Sequence, residues 1–368
     1  MPTMLPVRPA FLSFALGLAA GAAAAPAPPA GTLIVLNKSE ATASLLHAAS
    51  GTIAATVPVG EGPHEVAVSP DGRTAAVSNY GVAAREGKTL TLIDVVSASA
   101  VKTIDLGPYR RPHGIRFTPD GRRLVVTSET SRALLVVDPW KGKVLAAIPT
   151  GEKVSHMVEL SRDGKRAFVA NIGSGSVTAI DLVTAERVRT VETGTGAEGI
   201  AVSPDGREVW VTNRAADTVS VLSAATLEVT ATLPSATFPI RVAFTPDGRR
   251  ALVSNARSGE VAVFDSATRK ELVRIPMRYA ASDPKGRLFA DFGESPAPIG
   301  ILVAPGGDVA WVANANADVI AVLDLAKNEV VDVLRAGREP DGLGFSPLSV
   351  LRSAPAPATR ERGGSSPE

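Results

Sequence analysis

His64, His113 and His156 are the residues of this chain whose type and spacing could do chemistry. They stand 49 and 43 residues apart (113 − 64 and 156 − 113), and Glu198 follows after a further 42 (198 − 156). Imidazole nitrogens and carboxylate oxygens are ligands for copper, zinc or iron, so three His and one Glu brought together would make a metal site. The same side chains would also serve a ligand site without metal, or hydrogen-bond neighbouring loops and channel water. Other chemistries are excluded more firmly. The chain has no Cys, which removes disulfides, thiolate metal sites and Cys nucleophiles. It carries no G-x-S-x-G elbow, no H-E-x-x-H and no P-loop. The glycine-rich stretch Thr193–Gly199 lies between strands and opens no helix, so a dinucleotide reading fails. No catalytic motif is present, and binding rather than catalysis is the expectation.

The elements that would position these residues follow from a repeat of about 42 residues. Its marker is a turn: Ser69-Pro70-Asp71-Gly72-Arg73, Thr118-Pro119-Asp120-Gly121-Arg122, Ser161-Arg162-Asp163-Gly164-Lys165, Ser203-Pro204-Asp205-Gly206-Arg207 and Thr245-Pro246-Asp247-Gly248-Arg249. Degenerate copies are Ala304-Pro305-Gly306-Gly307-Asp308 and Phe345-Ser346-Pro347. Pro presets φ, Asp bonds its own backbone and Gly takes a positive φ, so each turn joins two antiparallel strands. β-branched runs such as Ile200-Ala201-Val202 and Val209-Trp210-Val211-Thr212-Asn213 flank it. Four short strands per repeat predict an all-β propeller built from four-stranded antiparallel blades.

Two columns give the blade number. Asn37, Asn79, Ser128, Asn171, Asn213, Asn255 and Asn314 end strand two, and His64, His113, His156, Glu198, Ile240, Ile299 and Asp341 open strand one. Each column has seven members. The second begins after the first and ends after it, so Asp341–Pro347 supplies strand one to a blade whose strands two to four come from Thr32–Val59. The two ends of the propeller segment close one ring, which removes the open sheet edges. Blades of such a ring lie about 51° apart, and the three His should share one mouth of the central channel. The Asn column is expected to satisfy turn backbone groups, and Phe168, Trp210 and Trp311, at one strand-two position, to be core.

The repeat is longer than its usual length in two places. Tyr80–Lys88, with Pro108–Arg111, and Met277–Pro298 are insertions in strand 2–3 and strand 4–1 loops. Both loop types belong to the His face, where binding residues gather. Tyr80, Tyr109, Tyr279, Arg110, Arg111, Arg241, Arg278 and Arg338 fall in or beside loops of this face. With Asp341 they suggest a ligand site: Arg forks match carboxylate or phosphate oxygens and Tyr offers a stacking surface. His47 aligns with the strand 3–4 turns on the opposite face.

The turns and strand-two endings, Val209-Trp210-Val211-Thr212-Asn213 above all, resemble the YVTN-repeat β-propeller family, of the YncE-like exported bacterial type. The resemblance spans about residues 32–347 and implies a seven-bladed propeller of secreted or periplasmic proteins. The family and its relatives include lactonase-type enzymes and a haem-binding propeller, so the resemblance fixes a fold and leaves function to the site.

The remaining expectations concern the ends and the partners. Residues 1–24 read as a cleavable signal peptide: Arg8, an apolar run Ala10–Ala20, then small residues to Ala25. A Pro/Ala-rich spacer (25–31), the propeller (32–351) and a disordered tail (352–368) follow. The run is too interrupted by Gly, Ser and Ala for a stable membrane span. Removing Arg8 with the leader leaves 38 − 1 basic against 37 acidic residues, a neutral chain with no electrostatic case for nucleic acid. The expected protein is periplasmic or secreted, and binds a small anionic or redox ligand or a protein partner at the His mouth. The alternative is a metal-dependent enzyme or redox carrier, for example a lactonase-like hydrolase, using Cu, Zn or Fe at the same mouth.

Overall fold

The protein is seen in a computed structural model that describes residues 28–283 and 285–351. The leader (1–24) and the tail (352–368) assigned above lie outside the described residues, as does the first part of the spacer. Seven four-stranded antiparallel sheets follow one another around a central axis. Blade 1 closes the ring: Pro340–Ser346 pairs with Thr32–Asn37, which is followed outward by Thr42–His47 and Ile53–Pro58. Blades 2 to 7 occupy residues 63–105, 112–149, 155–192, 197–234, 239–276 and 298–334 in chain order. Both sequence columns count the blades correctly, and the shared blade is where they place it.

Burial falls from the axis outward. Strand two of blade 5, Glu208–Asn213, is buried at five of its positions, whereas strand four of blade 4, Glu186–Glu192, is exposed or half-buried throughout. The apolar residues of the inner strands fill the gaps between neighbouring blades. Trp210 packs with Val221 of its own blade and with Val242 and Phe264 of blade 6. Trp311 of blade 7 stacks on Phe345 of blade 1, ring centroids 6.0 Å apart. In the strand 1–2 turns the Asp carboxylate accepts bonds from the Ser or Thr hydroxyl two residues earlier and the backbone N–H two residues later, as Asp205 does with Ser203 and Arg207.

Strand one starts one residue earlier than expected, at Pro63, Pro112, Ser155, Ala197, Pro239, Pro298 and Pro340, so the His column sits at its second position. The residue after that column faces the neighbouring strand at very close range. At Gly114 a Cβ would come within 2.7 Å of the His156 carbonyl oxygen, and at Gly300 it would collide with that of Asp341. Four of the seven blades have Gly there: Gly114, Gly199, Gly300 and Gly342. The three exceptions, Glu65, Met157 and Arg241, line the channel.

Two local expectations change. Tyr80–Lys88 is not a loop insertion but a lengthened hairpin: strands two and three of blade 2 run on as Thr74–Val82 and Arg85–Asp94, pairing Gly81 with Glu86. The Asn column bonds chiefly to strand three, since Asn37 Nδ2 donates to Thr42 and Ser44 hydroxyls and Asn79 Nδ2 to those of Thr89 and Thr91. At Asn37 and Asn79 the Oδ1 accepts from a strand 4–1 loop N–H, that of Gly337 and of Gly60, while Asn171 and Asn255 Oδ1 accept from the Ser155 and Ser235 hydroxyls.

Candidate functional site

The three His converge, and they are sealed. His64 is 8% exposed, His156 7% and His113 0%. Their rings form a stack, with centroids 3.9 Å apart for His64 and His113 and 3.5 Å for His113 and His156. The expected open mouth is therefore a packed polar plug.

Each outer imidazole has partners. Lys38 Nζ lies 2.8 Å from His64 Nε2, and His64 Nδ1 lies 3.0 Å from Asp341 Oδ2, an approach too oblique for a hydrogen bond. Burial holds His64 below the ordinary imidazole pKa; Asp341 opposes this and Lys38 adds to it. His156 is set between two carboxylates, with Nδ1 against Glu129 Oε1 and Nε2 3.4 Å from Glu198 Oε1. Burial opposes its charge, but Glu129 and Glu198 overcome that, and its pKa is raised. Glu198 also accepts from Arg214 Nη1 at 2.7 Å and lies 3.4 Å from Arg241 Nη1. Burial resists its ionisation, yet His156 and the two guanidinium groups hold its pKa down at about 2.

His113 is different. Neither ring nitrogen has a hydrogen-bond partner, and the side chain is wholly buried. Burial first, then the neighbouring His156 and His64, keep it neutral far below the ordinary pKa. A buried polar group without a partner costs about 1–3 kcal/mol, so a two-nitrogen orphan at the centre of a polar cluster needs a reason. Its nitrogens are the common member of two convergent sets, His64–Glu65–His113 and His113–Glu129–His156, whose ligand atoms lie within 4.8 Å of one another in each.

The other sequence-chosen residues divide. Tyr80 reaches the plug: its hydroxyl donates to Glu129 Oε2 at 2.6 Å, and its ring stands 5.3 Å from that of His64. Burial and Glu129 raise the phenol pKa. Arg111 stacks its guanidinium 4.8 Å over the Tyr80 ring and donates to Glu86 at 3.1 Å. Arg241 is buried, held by Glu65 at 2.6 Å and by Glu198, and Asp341 is buried against His64. Tyr109 packs instead on the apolar core between blades 2 and 3, and Tyr279 on that between blades 6 and 7. Arg110 donates to the Gly107 and Tyr109 carbonyls, while Arg278 and Arg338 are exposed. The structure thus brings together Tyr80, Arg111, Arg241 and Asp341 around the His, and leaves Tyr109, Arg278 and Tyr279 outside.

The long insertion covers the other half of the ring. Ile240 and Ile299, the apolar members of the His column, lie beneath Phe238, Phe289 and Phe292. Arg287 ties this lid down with two bonds to Asp318, at 2.8 and 2.6 Å.

Sequence reasoning missed Lys38, Glu65, Glu129 and Arg214. Three of them share a legible signal. The residue after the strand-two Asn or Ser is Lys38, Tyr80, Glu129, Ile172, Arg214, Ala256 and Ala315 in blades 1, 2, 3, 4, 5, 6 and 7. Polar members of this column turn onto the imidazoles or the carboxylates beside them, Lys38 onto His64, Glu129 onto His156, Tyr80 onto Glu129 and Arg214 onto Glu198, and the two Ala sit under the lid. Glu65 occupies the position after the His column, which is Gly in four of the seven blades.

The shifts fix a pH response for chelator-treated protein. Unfolded His64 and His113 take up protons below about pH 6.5, and the folded imidazoles do so only at lower pH, His113 most of all. The unfolded chain then binds more protons, so stability falls as pH falls below that value. His156 works in the opposite sense: its contribution is complete below about pH 6.5 and is lost as pH rises through its raised folded pKa. The two depressed imidazoles outnumber the raised one. Thermal midpoints should therefore drop from pH 7 to 5.5, with a slope of up to about 1.4 kcal/mol per pH unit for each proton withheld. A flat profile over that interval, read by circular dichroism, would contradict the burial of these rings.

Comparison with known proteins agrees with the architecture. Residues 3–162 match the model of the YNCE-like beta-propeller family, and residues 117–241 match that of the cytochrome D1 heme domain. No curated protein matches the chain. Among solved structures, hydrazine synthase of Kuenenia stuttgartiensis is 21% identical with TM-score 0.65, over 84% of this chain and 99% of that one. A functionally unknown protein from Desulfotomaculum acetoxidans is 14% identical with TM-score 0.71, over 88% of this chain and 100% of its own. At these identities the likeness is one of fold.

Proposed function

Since this chain belongs to the YncE-like β-propellers, we propose that it is an exported ring whose imidazole plug holds one divalent first-row transition-metal ion, as a binding protein rather than a hydrolase. The observation that carries this is His113, with both nitrogens orphaned between two other imidazoles and ringed by carboxylates. An ion there would give His113 its partner. His64 and His113 would supply nitrogens and Glu65 an oxygen, with His156 the next imidazole beside His113; such a donor set suits Zn²⁺, Cu²⁺ or Fe²⁺, and the absence of Cys disfavours softer ions. Glu129 and Tyr80 would orient His156 from behind, as outer hydrogen-bond partners commonly do for metal-bound His. Glu129 and Glu198 favour the protonated form of His156, and a neighbouring ion would compete with that proton, so affinity should fall in acid. Export rests on the apolar run before Ala25, and no helix among the described residues is long and apolar enough to cross a membrane.

A hydrolase would need a substrate to reach an open coordination position, and the three His are at most 8% exposed. The cytochrome D1 match raises haem as a ligand, but these residues do not fit one. Stacked rings 3.5 and 3.9 Å apart, closed over by Tyr80 and Lys38, leave no slot for a macrocycle. The test is elemental analysis of protein purified without chelators from the exported fraction. One equivalent of Zn, Cu or Fe per chain is expected, and protein that stays metal-free after incubation with each ion sinks the reading.

A further inference from the structure

Nothing reaches the imidazoles easily from the loop face. Tyr80, Lys38, Arg214 and the Phe lid cover it, and the residues beneath are nearly all buried. From the opposite face the axis is open. A cavity of about 500 Å³ runs in from the strand 1–2 turns, where Pro70, Pro119 and Pro305 line its rim, and ends at Glu65 and Arg241. At ~30 Å³ per water molecule that volume accepts a hydrated ion with room to spare. Its walls carry one further charged side chain, Arg116, whose charge is met by Glu159 at 2.9 Å; nearer the rim they are uncharged, Val68 and Val303 among them.

The two residues at its inner end belong to both compartments. Glu65 lines the cavity, and its carboxylate is within 4.8 Å of the nitrogens of His64 and His113. Arg241 Nη2 holds that carboxylate at 2.6 Å, and its Nη1 lies 3.4 Å from Glu198. A guanidinium across the channel repels an arriving dication. It need not become unpaired when Glu65 is taken from it, because Glu198 is already beside it.

On the premise of the metal reading above, we infer that the ion is loaded through the central channel from the turn face, and that the Glu65–Arg241 pair is the gate. The incoming divalent cation takes the place of Arg241 on Glu65, Arg241 closes onto Glu198, and Glu65 delivers the ion to His64 and His113. Each carboxylate keeps a cationic partner throughout, so no buried anion is left bare at any stage. The gate also selects: a monovalent cation offers Glu65 no more charge than the guanidinium it must displace, and an anion meets Glu65 itself.

The test separates loading rate from equilibrium binding. Val303→Lys and, independently, Val68→Lys put a cation into the channel wall away from the imidazoles. Leu288→Lys puts one on the exposed lid of the loop face. Each variant is stripped with chelator, shown folded by circular dichroism, and mixed with Zn²⁺ while uptake is followed by competition with a chromogenic indicator. A like charge in a low-dielectric channel should slow uptake by both channel variants about tenfold or more, leaving final stoichiometry at one and Leu288→Lys unchanged. Unchanged rates in both channel variants, or equal slowing by Leu288→Lys, overturn the route while the metal reading stands. Failure of the unsubstituted protein to take up any ion at equilibrium removes the metal reading, and the route with it.

Discussion

Deleting Pro340–Ser346 is expected to unfold the ring as a whole rather than fray one blade. That strand pairs with Thr32–Asn37 along its length, in a register that sets Phe345 opposite Leu33 and Leu343 opposite Val35. Phe345 also stacks on Trp311 of blade 7, and Val66 and Val68 of blade 2 pack beside Gly344. Its removal therefore opens both blade 7 and blade 2 to water and bares a long edge of strand Thr32–Asn37. A domain of this kind has only about 5–15 kcal/mol in total, and losing an inner strand with its two inter-blade packings should take most of it. Urea titration followed by Trp fluorescence reads the result. A shortened chain that still melts cooperatively within a few degrees of the full one would mean that the ring is not closed by this strand.

A second large effect has opposite signs in two measurements. His113→Leu should raise the stability of chelator-treated protein and abolish ion binding. Leu fills a similar volume and removes two buried nitrogens without partners, a relief of about 1–3 kcal/mol. The same change deletes the imidazole shared by both convergent ligand sets, so affinity should fall at least about a hundredfold, given that outer partners alone are commonly worth 10–100-fold. A structural histidine would behave in the reverse way, destabilising on removal and leaving any metal content as it was. The pair of results thus tells a ligand from a packing residue.

The architecture was legible because it is written seven times. Most strand 1–2 turns use Pro, Asp and Gly for their own backbone, so local chemistry repeats visibly, and a column of seven fixes the ring whichever blade degenerates. The site was legible only where it shared that periodicity. His64, His113 and His156 fall in one column and were found. Glu129, Lys38 and Arg214 fall in a second column, one residue beyond the Asn series, where the mixture of Lys, Tyr, Glu, Arg and Ala hides the common position. What no column carries is whether a mouth is open. That depends on how the lengthened hairpin Thr74–Asp94 leans and on where Phe289 and Phe292 settle, both products of extra residues outside the repeat. Tyr109 and Tyr279 illustrate the same limit. Their loops belong to the His face, but their rings find more apolar surface between blades than over the channel.

The glycines that follow the His column give the ring a fixed girth. Where Gly114 and Gly300 meet the next strand, backbone touches backbone with no side chain between them to compress or swing aside. At four of the seven boundaries the circumference is set by main-chain contact, and the imidazoles hang inward from a hoop with no slack there to close further. Any guest must match the bore it finds. Discrimination between ions of different radius would accordingly reside in the hoop, which no substitution of a single ligand can resize.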